Sequence, residues 1–380
     1  MKFRKMKTFP ALFSALALTA CGASGTPSLP DTAAGAPAAQ PSFEAAVFYY
    51  DYSDAYVSSV RTQLTRLLNE ETIPFREYDG DFNQTTQTSQ IEEAILLGAD
   101  LLIVNVVNSG STYTADELCL LADHADVPIL FFNRCPEADG DEGVVLSYYK
   151  NAAYVGTDPE EAGHMQGKMI GQFLLENYEA VDLNKDGVIS YAHFKGEGAN
   201  TEAIYRTRYA VEDADAILTQ AGYRPLQYFD SSSVDKYQLD MTGRWSAAAA
   251  QSYMTSNLLS CNPNEGNTIE LIISNNDDMA DGAIRALNAW GMNLGTEDCI
   301  TIPVFGVDAT VTARQLIRDR KMTGTIEQDP EELASCILKI VENVRDDKSL
   351  LEGLDEYPRD VKHNLQNKIY LPYSVYWPEP

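Results

Sequence analysis

From residue 45 onward, short apolar runs alternate with stretches whose apolar residues recur three and four apart. The runs fall at 45–50, 75–78, 101–107, 128–132, 154–156, 188–194, 224–229, 270–274, 303–307 and 324–327, each of strand length. Helical spacing separates most of them, as from Val57 to Leu68 and from Pro330 to Val344. Leu101-Leu102-Ile103-Val104 is apolar at every position, the mark of a strand covered on both faces. This rhythm predicts an α/β protein with parallel, doubly wound sheets. About 335 residues exceeds one such lobe, at roughly 150 residues per domain, and suits two.

The first 44 residues follow another pattern. Lys2, Arg4, Lys5 and Lys7 precede a mostly apolar run from Phe9 to Leu18, which is too short to span a bilayer. Leu18-Thr19-Ala20-Cys21 resembles a bacterial lipobox, in which the Cys is acylated and cleavage falls just before it. An ordinary secretory signal with an incidental Cys is the plainer alternative. Residues 1–20 read as a lipoprotein signal peptide and 21–44, rich in Ala, Gly, Pro, Ser and Thr, as a flexible tether. The expected location is extracytoplasmic, lipid-anchored to the cell membrane through Cys21 and not otherwise embedded, since more than one acyl chain gives a stable hold.

Composition narrows the function. With 56 acids against 28 bases the net charge is −28, and loss of residues 1–20 would remove four more positive charges. Such a surface repels phosphate backbones, so no nucleic-acid partner is expected. Cysteines 119, 135, 261, 299 and 336 show no C-x-x-C spacing, so a zinc or redox site lacks support and most read as buried apolar residues. His124, His164, His193 and His363 form no nucleophile or zinc spacing, and no G-x-S-x-G or phosphate loop occurs, so an enzyme is not expected.

In open α/β sheets ligands sit beyond the carboxyl ends of the strands. Asp54, Asn133, Asn276, Asp308 and Gln328 stand at or just after such ends. Amides and carboxylates in that place suit a ligand rich in hydroxyls, although Asn and Asp are also ordinary helix caps and turn formers. A separate stretch, Asp182-Leu183-Asn184-Lys185-Asp186-Gly187-Val188-Ile189-Ser190, matches the first nine positions of an EF-hand loop. Oxygens fall at Asp182, Asn184 and Asp186, the backbone carbonyl of Val188 and the hydroxyl of Ser190, with Gly187 at the bend. Position 12 is His193 rather than Glu, so a bound Ca2+ needs a carboxylate from elsewhere; an Asx-rich turn without metal is the alternative.

Together with Lys195-Gly196-Glu197, Ser274-Asn275-Asn276-Asp277, Val155-Gly156-Thr157-Asp158, Phe131-Phe132-Asn133 and Pro303-Val304-Phe305-Gly306-Val307-Asp308, these residues resemble the galactose/glucose-binding type of the pentose/hexose-binding family of ABC-transporter substrate-binding proteins. The resemblance runs through nearly all of 45–375. It implies two Rossmann-like lobes joined by a three-stranded hinge, the type I periplasmic binding protein fold, with the first lobe at 45–157 plus about 328–365 and the second at 158–327 plus about 366–380. It implies a hexose held by Asp54 and Asn133 from one lobe and Arg206, Asn276 and Asp308 from the other. Tyr56, where the family has Phe, and Trp245 would sandwich the ring; a core role is the plainer reading of Trp245. Asn200, Glu202 and Gln328 stand where the family has His, Asp and Asn, which leaves the choice of hexose open. Glu270 falls where the family's distant Glu completes the calcium loop. Implied partners are the sugar, an ABC permease and a chemoreceptor, for a protein that is a monomer. A transcription regulator sharing this fold is disfavoured by the export signal and the lack of a basic helix-turn-helix.

Overall fold

The computed structural model describes residues 43–377. Cys21, the expected signal segment and nearly all of the tether lie outside the described residues. The chain starts as a βα alternation: β1 (Ala45–Tyr49), α1 (Ala55–Glu70), β2 (Phe75–Asp79), α2 (Gln84–Leu96), β3 (Leu101–Val104), α3 (Thr112–Ala125), β4 (Ile129–Phe132) and β5 (Ala152–Thr157). It crosses to a second α/β unit made of α4 (Pro159–Val181), β6 (Ser190–Lys195), α5 (Thr201–Gln220), β7 (Gln227–Tyr228), β8 (Gln238–Leu239), α6 (Ala247–Asn257), β9 (Leu271–Ser274), α7 (Asp277–Ala289), β10 (Val304–Asp308), α8 (Val311–Arg318) and β11 (Gly324–Glu327). It returns through α9 (Pro330–Arg345), which packs on α1, and ends in β12 (Arg359–Asp360), β13 (Leu365–Leu371) and β14 (Ser374–Tyr376).

The first sheet has the order β12-β13-β5-β4-β3-β1-β2, the second β14-β11-β10-β9-β6-β7 with β8 also on β6. The pairs between consecutive βα units are parallel, and β12 and β14 join antiparallel. Each sheet is covered on both faces, which is why its strands lack polar alternation. In β1, Ala45, Val47 and Tyr49 enter one core and Ala46 and Phe48 the opposite one. In the second lobe Ile272 and Val304 face one core while Leu271, Ile273, Phe305 and Val307 face the other. All five described cysteines are free, four of them buried.

The chain passes between lobes three times, after β5, after β11 and after β13. The sequence division that gives 366–380 to the second lobe is corrected here. β13 lies between β12 and β5 in the first sheet, and only β14 joins the second. Lys368 hid that strand from a hydrophobic reading. With Gln366 and Asn367 before it, only three apolar residues follow, yet Lys368 is buried, its Nζ 5.5 Å and 5.4 Å from the ring centres of Tyr154 and Tyr370. β7 is shorter than the run at 224–229, and β8, β12 and β14 have two or three residues each, too few to show a pattern.

Helices α4 and α5 approach closely because Gly163, Gly167 and Gly171 line the facing side of α4. A Cβ on Gly163 or Gly167 would stand 2.5 Å from the carbonyl oxygen of Tyr205 or Tyr209. Gly167→Ala gains about 1 kcal/mol of helix propensity but incurs an overpacking cost of about 1–3 kcal/mol, so a net loss is expected. The check is a melting temperature a few degrees below wild type, and an unchanged one would refute the packing argument.

Candidate functional site

All ten expected ligand residues line one cavity between the lobes. The carboxyl ends of the strands and the first turns of the following helices bring them there. Asp54 and Tyr56 follow β1, Asn133 follows β4, and Asn200, Glu202 and Arg206 open α5. Trp245 precedes α6, Asn276 caps α7, Asp308 ends β10, and Gln328 lies on the second interlobe crossing.

Helix capping fixes several of these side chains. Asp54 Oδ1 accepts from Val57 N at 2.8 Å, Asn200 Oδ1 from Ala203 N at 2.9 Å and Asn276 Oδ1 from Met279 N at 3.0 Å. Capping and cavity lining are therefore the same residues, not alternatives. Asp54 Oδ2 accepts from the Tyr50 hydroxyl at 2.5 Å, Asn133 Oδ1 from Asn105 Nδ2 at 3.1 Å, and Asn276 Nδ2 donates to the carbonyl of Trp245 at 3.2 Å. Asn200 differs in reaching the other lobe, where its amide donates to Ser109 Oγ at 3.1 Å. Gln328 Nε2 donates to Asp308 Oδ1 at 2.7 Å.

Three lining residues sit in the left-handed backbone region: Asn133 (φ 57°), Trp245 (φ 56°) and Asp308 (φ 118°). Strain of this kind concentrates at functional sites. The Trp245 ring lies flat over Gly196, where a Cβ would come within 2.1 Å of it. Three buried polar atoms of lining residues have no partner: Glu202 Oε1, Arg206 Nε and Trp245 Nε1. Burial pushes the carboxyl of Asp54 up, and that of Asp308 well up. Arg206 opposes the rise at Asp308, while Asp277 and Asp54 add to it.

The lobes meet at the cavity rim. Arg134 Nη2 donates to Glu197 Oε2 at 2.8 Å, and Arg244 pairs with Asp51. Gly110, at φ 69°, has no room for a Cβ, which would stand 2.5 Å from the Ala199 carbonyl. The cavity's free volume is ≈ 50 Å³.

Residues 45–349 match the periplasmic binding protein domain. The chain belongs to the periplasmic binding protein family. It is 33% identical over 308 residues to the D-galactose/methyl-galactoside binding periplasmic protein MglB of Haemophilus influenzae, across 81% of this chain and 83% of that one. It is 24% identical to the ribose import binding protein RbsB of Bacillus subtilis, across 70% of each. Its fold is similar to an ABC-transporter solute-binding protein of Clostridium phytofermentans with bound β-D-glucose, with a TM-score of 0.66, 16% identity, and coverage of 88% of this chain and 94% of that one. Like the other proteins of the periplasmic binding protein family, it binds rather than transforms and is not an enzyme. Among the described residues no helix is long and apolar enough to cross a membrane.

Three further lining residues of this periplasmic binding protein, Tyr50, Val57 and Arg134, escaped the sequence reading. Arg134 is the informative one. Its Nε and Nη2 donate to the carbonyls of Val106 and Val107, and it stacks on Tyr50 at 4.1 Å. The only signal in the sequence is a lone cation directly after Asn133 at a strand end.

The expected calcium loop is ordered around its own acids. Asp182 accepts from the amides of Asp186 and Gly187, and Asp186 from that of Val188. Glu270 is buried and reaches the loop from the start of β9, accepting from Leu183 N at 2.7 Å, Asn184 N at 3.2 Å and Ser190 N at 3.0 Å. The Ser190 hydroxyl donates to the carbonyl of Thr268. Among the described residues, no three or more His, Cys, Asp or Glu side chains form a metal-holding group. The loop's acids are three, Asp182, Asp186 and Glu270, beside an amide, a carbonyl and a hydroxyl.

His193, behind the cavity, is fully buried. Its Nε2 faces Asn275 Nδ2 at 3.3 Å, so that nitrogen accepts and the proton sits on Nδ1, which has no partner. Burial, helped by the charge of Lys195, lowers its pKa to about 3. The unfolded chain takes up that proton near pH 6.5 and the folded chain does not, so this contribution is complete above pH 6.5 and shrinks as pH falls toward 3. By pH 5 the loss is about 2 kcal/mol. Urea unfolding at pH 7 and pH 5 should show that His193→Gln removes this increment from the acid sensitivity; equal sensitivity in both proteins would refute it.

Proposed function

We propose that this chain captures a neutral hexose of the galactose/glucose class between its lobes and delivers it to an ABC permease. The observation that carries this reading is the cavity lining: Tyr56 and Trp245 from opposite lobes, surrounded by amides, carboxylates and two guanidinium groups, with three buried polar atoms lacking partners. A sugar's C–H face packs on π faces, and its hydroxyls both donate and accept, so it meets carboxylate and guanidinium alike. An anionic sugar is disfavoured by Asp54, Glu202 and Asp308. The identity to MglB, which binds galactose and methyl-galactoside, supports the hexose class.

A hexose enters as the lobes part and Arg134 leaves Glu197, and closure then follows because the ligand contacts both lobes. The closed form is the one a permease recognises. Anchoring of the chain by acylated Cys21 outside the membrane belongs to the same reading.

Addition of D-galactose or D-glucose should raise the melting temperature, because ligand that binds only the native state stabilises it. Trp245→Ala and Asp308→Ala should each abolish the calorimetric signal while the far-UV circular dichroism stays as in wild type. Undiminished binding in both variants would sink the site assignment.

We further propose that Ca2+ occupies the 182–190 loop, held by Asp182, Asn184, Asp186, the carbonyl of Val188, Ser190 and Glu270, and acts as a staple rather than a sensor. Buried Glu270 lies near Asp182, and burial and that charge raise its pKa. Lys185, the nearest cation in the loop, donates instead to the carbonyl of Glu179. A divalent cation would offset the charge of Asp182, Asp186 and Glu270. Chelation should lower the melting temperature of wild type by several degrees and leave Glu270→Gln unaffected; equal responses would refute the site.

A further inference from the structure

The three crossings between the lobes each contribute one buried side chain to a single hydrogen-bonded cluster. Thr157 comes from the first, Gln328 from the second and Tyr373 from the third. Thr157 Oγ1 lies 2.7 Å from the Tyr373 hydroxyl and 3.5 Å from Gln328 Oε1. The cluster is bonded directly to two cavity residues of the second lobe. Gln328 holds Asp308, and the Tyr373 hydroxyl accepts from Arg206 Nη2 at 3.1 Å.

Arg206 is therefore fixed from behind at both terminal nitrogens. Nη1 donates to the carbonyl of Asn275 at 2.9 Å, and Nη2 is held by Tyr373. Its Nε is the donor left over, buried and without a partner. A guanidinium so held loses little further freedom when a ligand accepts from that N–H. The same hydroxyl that aims it is bonded to the first crossing, so rotation at the hinge and the placement of Arg206 are mechanically linked.

We infer that Tyr373 is a positioning residue, whose hydroxyl aims Arg206 at the ligand and ties it to the hinge. It does not line the cavity. The binding arm of this inference rests on the hexose reading above; the hinge arm does not.

Tyr373→Phe removes the hydroxyl and leaves the ring in the core of the second lobe, where it packs with Phe305, Val307 and Ile326. Calorimetric titration with D-galactose and D-glucose should show binding about tenfold weaker than wild type, the scale of one hydrogen bond to a charged group. In an Arg206→Lys background, where the shorter ammonium cannot span Asn275 and Tyr373, the same change should weaken binding less than twofold. In the ligand-free protein, Tyr373→Phe should speed amide hydrogen exchange at 157, 158, 327–329, 371, 373 and 374 together. Unchanged affinity, an equal tenfold loss in both backgrounds, or unchanged exchange at the crossings would overturn the inference. If wild type binds neither hexose, the functional reading falls, and the exchange measurement still decides whether Tyr373 ties the hinge.

Discussion

The N–H groups in the first turn of a helix have no partner inside it, and here the side chains that satisfy them also line the cavity. A doubly wound sheet puts the carboxyl ends of its strands and the amino ends of its helices on the same edge. Asp54, Asn200 and Asn276 stand at that edge in the two lobes and hold α1, α5 and α7 through one oxygen each. The cap makes each side chain rigid, at the expense of one hydrogen-bonding position. What remains is an oriented edge that neighbours such as Tyr50 and the Trp245 carbonyl steer further. Capping is worth about 1 kcal/mol to the fold, and the precision of the cavity follows from it at no added expense in ordering.

The strained backbone at Asn133, Trp245 and Asp308 fits the same logic. Each left-handed residue costs about 1–3 kcal/mol. The surroundings enforce it: the carbonyl of Asn133 is held by the Tyr154 hydroxyl at 2.7 Å, and Trp245 is seated on Gly196. Removing either support would release the strain by moving a lining residue, so the supports behind the cavity matter as much as the lining itself.

This explains how much could be read from the sequence. The strands of both sheet centres are continuous apolar runs, so the two doubly wound lobes were visible. So were Asp54, Asn133, Asn276, Asp308 and Gln328, because topology alone puts strand ends at the ligand. Glu202, Arg206 and Trp245 lie on helix starts and a loop, where no periodicity marks them, and only the resemblance to a family pointed to them. Arg134 left only a lone cation after a strand, and Tyr373 only a lone Tyr, and both look like any surface residue until the lobes are brought together. The division at 366 came with the resemblance, and Gln366-Asn367-Lys368 left no apolar run in the sequence to mark β13 as a strand of the first lobe.

Closure is where the charges of this acidic chain are balanced. The cavity gathers Asp54, Glu202 and Asp308 away from water, and isolated buried carboxylates are strongly unfavourable. Arg206 stands among them, and Arg134 brings a second guanidinium from the other lobe, 5% exposed and paired with Glu197. When the lobes part, that pair becomes two exposed ions whose attraction is small. When they close, its geometry is good but desolvation offsets much of the gain, as for buried pairs generally. Such a contact holds the closed form only weakly by itself. A ligand that supplies donors to the acids and acceptors to Arg206 Nε and Trp245 Nε1 adds what the empty interface lacks. Apparent affinity then equals intrinsic affinity scaled by the closed fraction, so residues at the rim and hinge that never touch the ligand set its grip as surely as those that do.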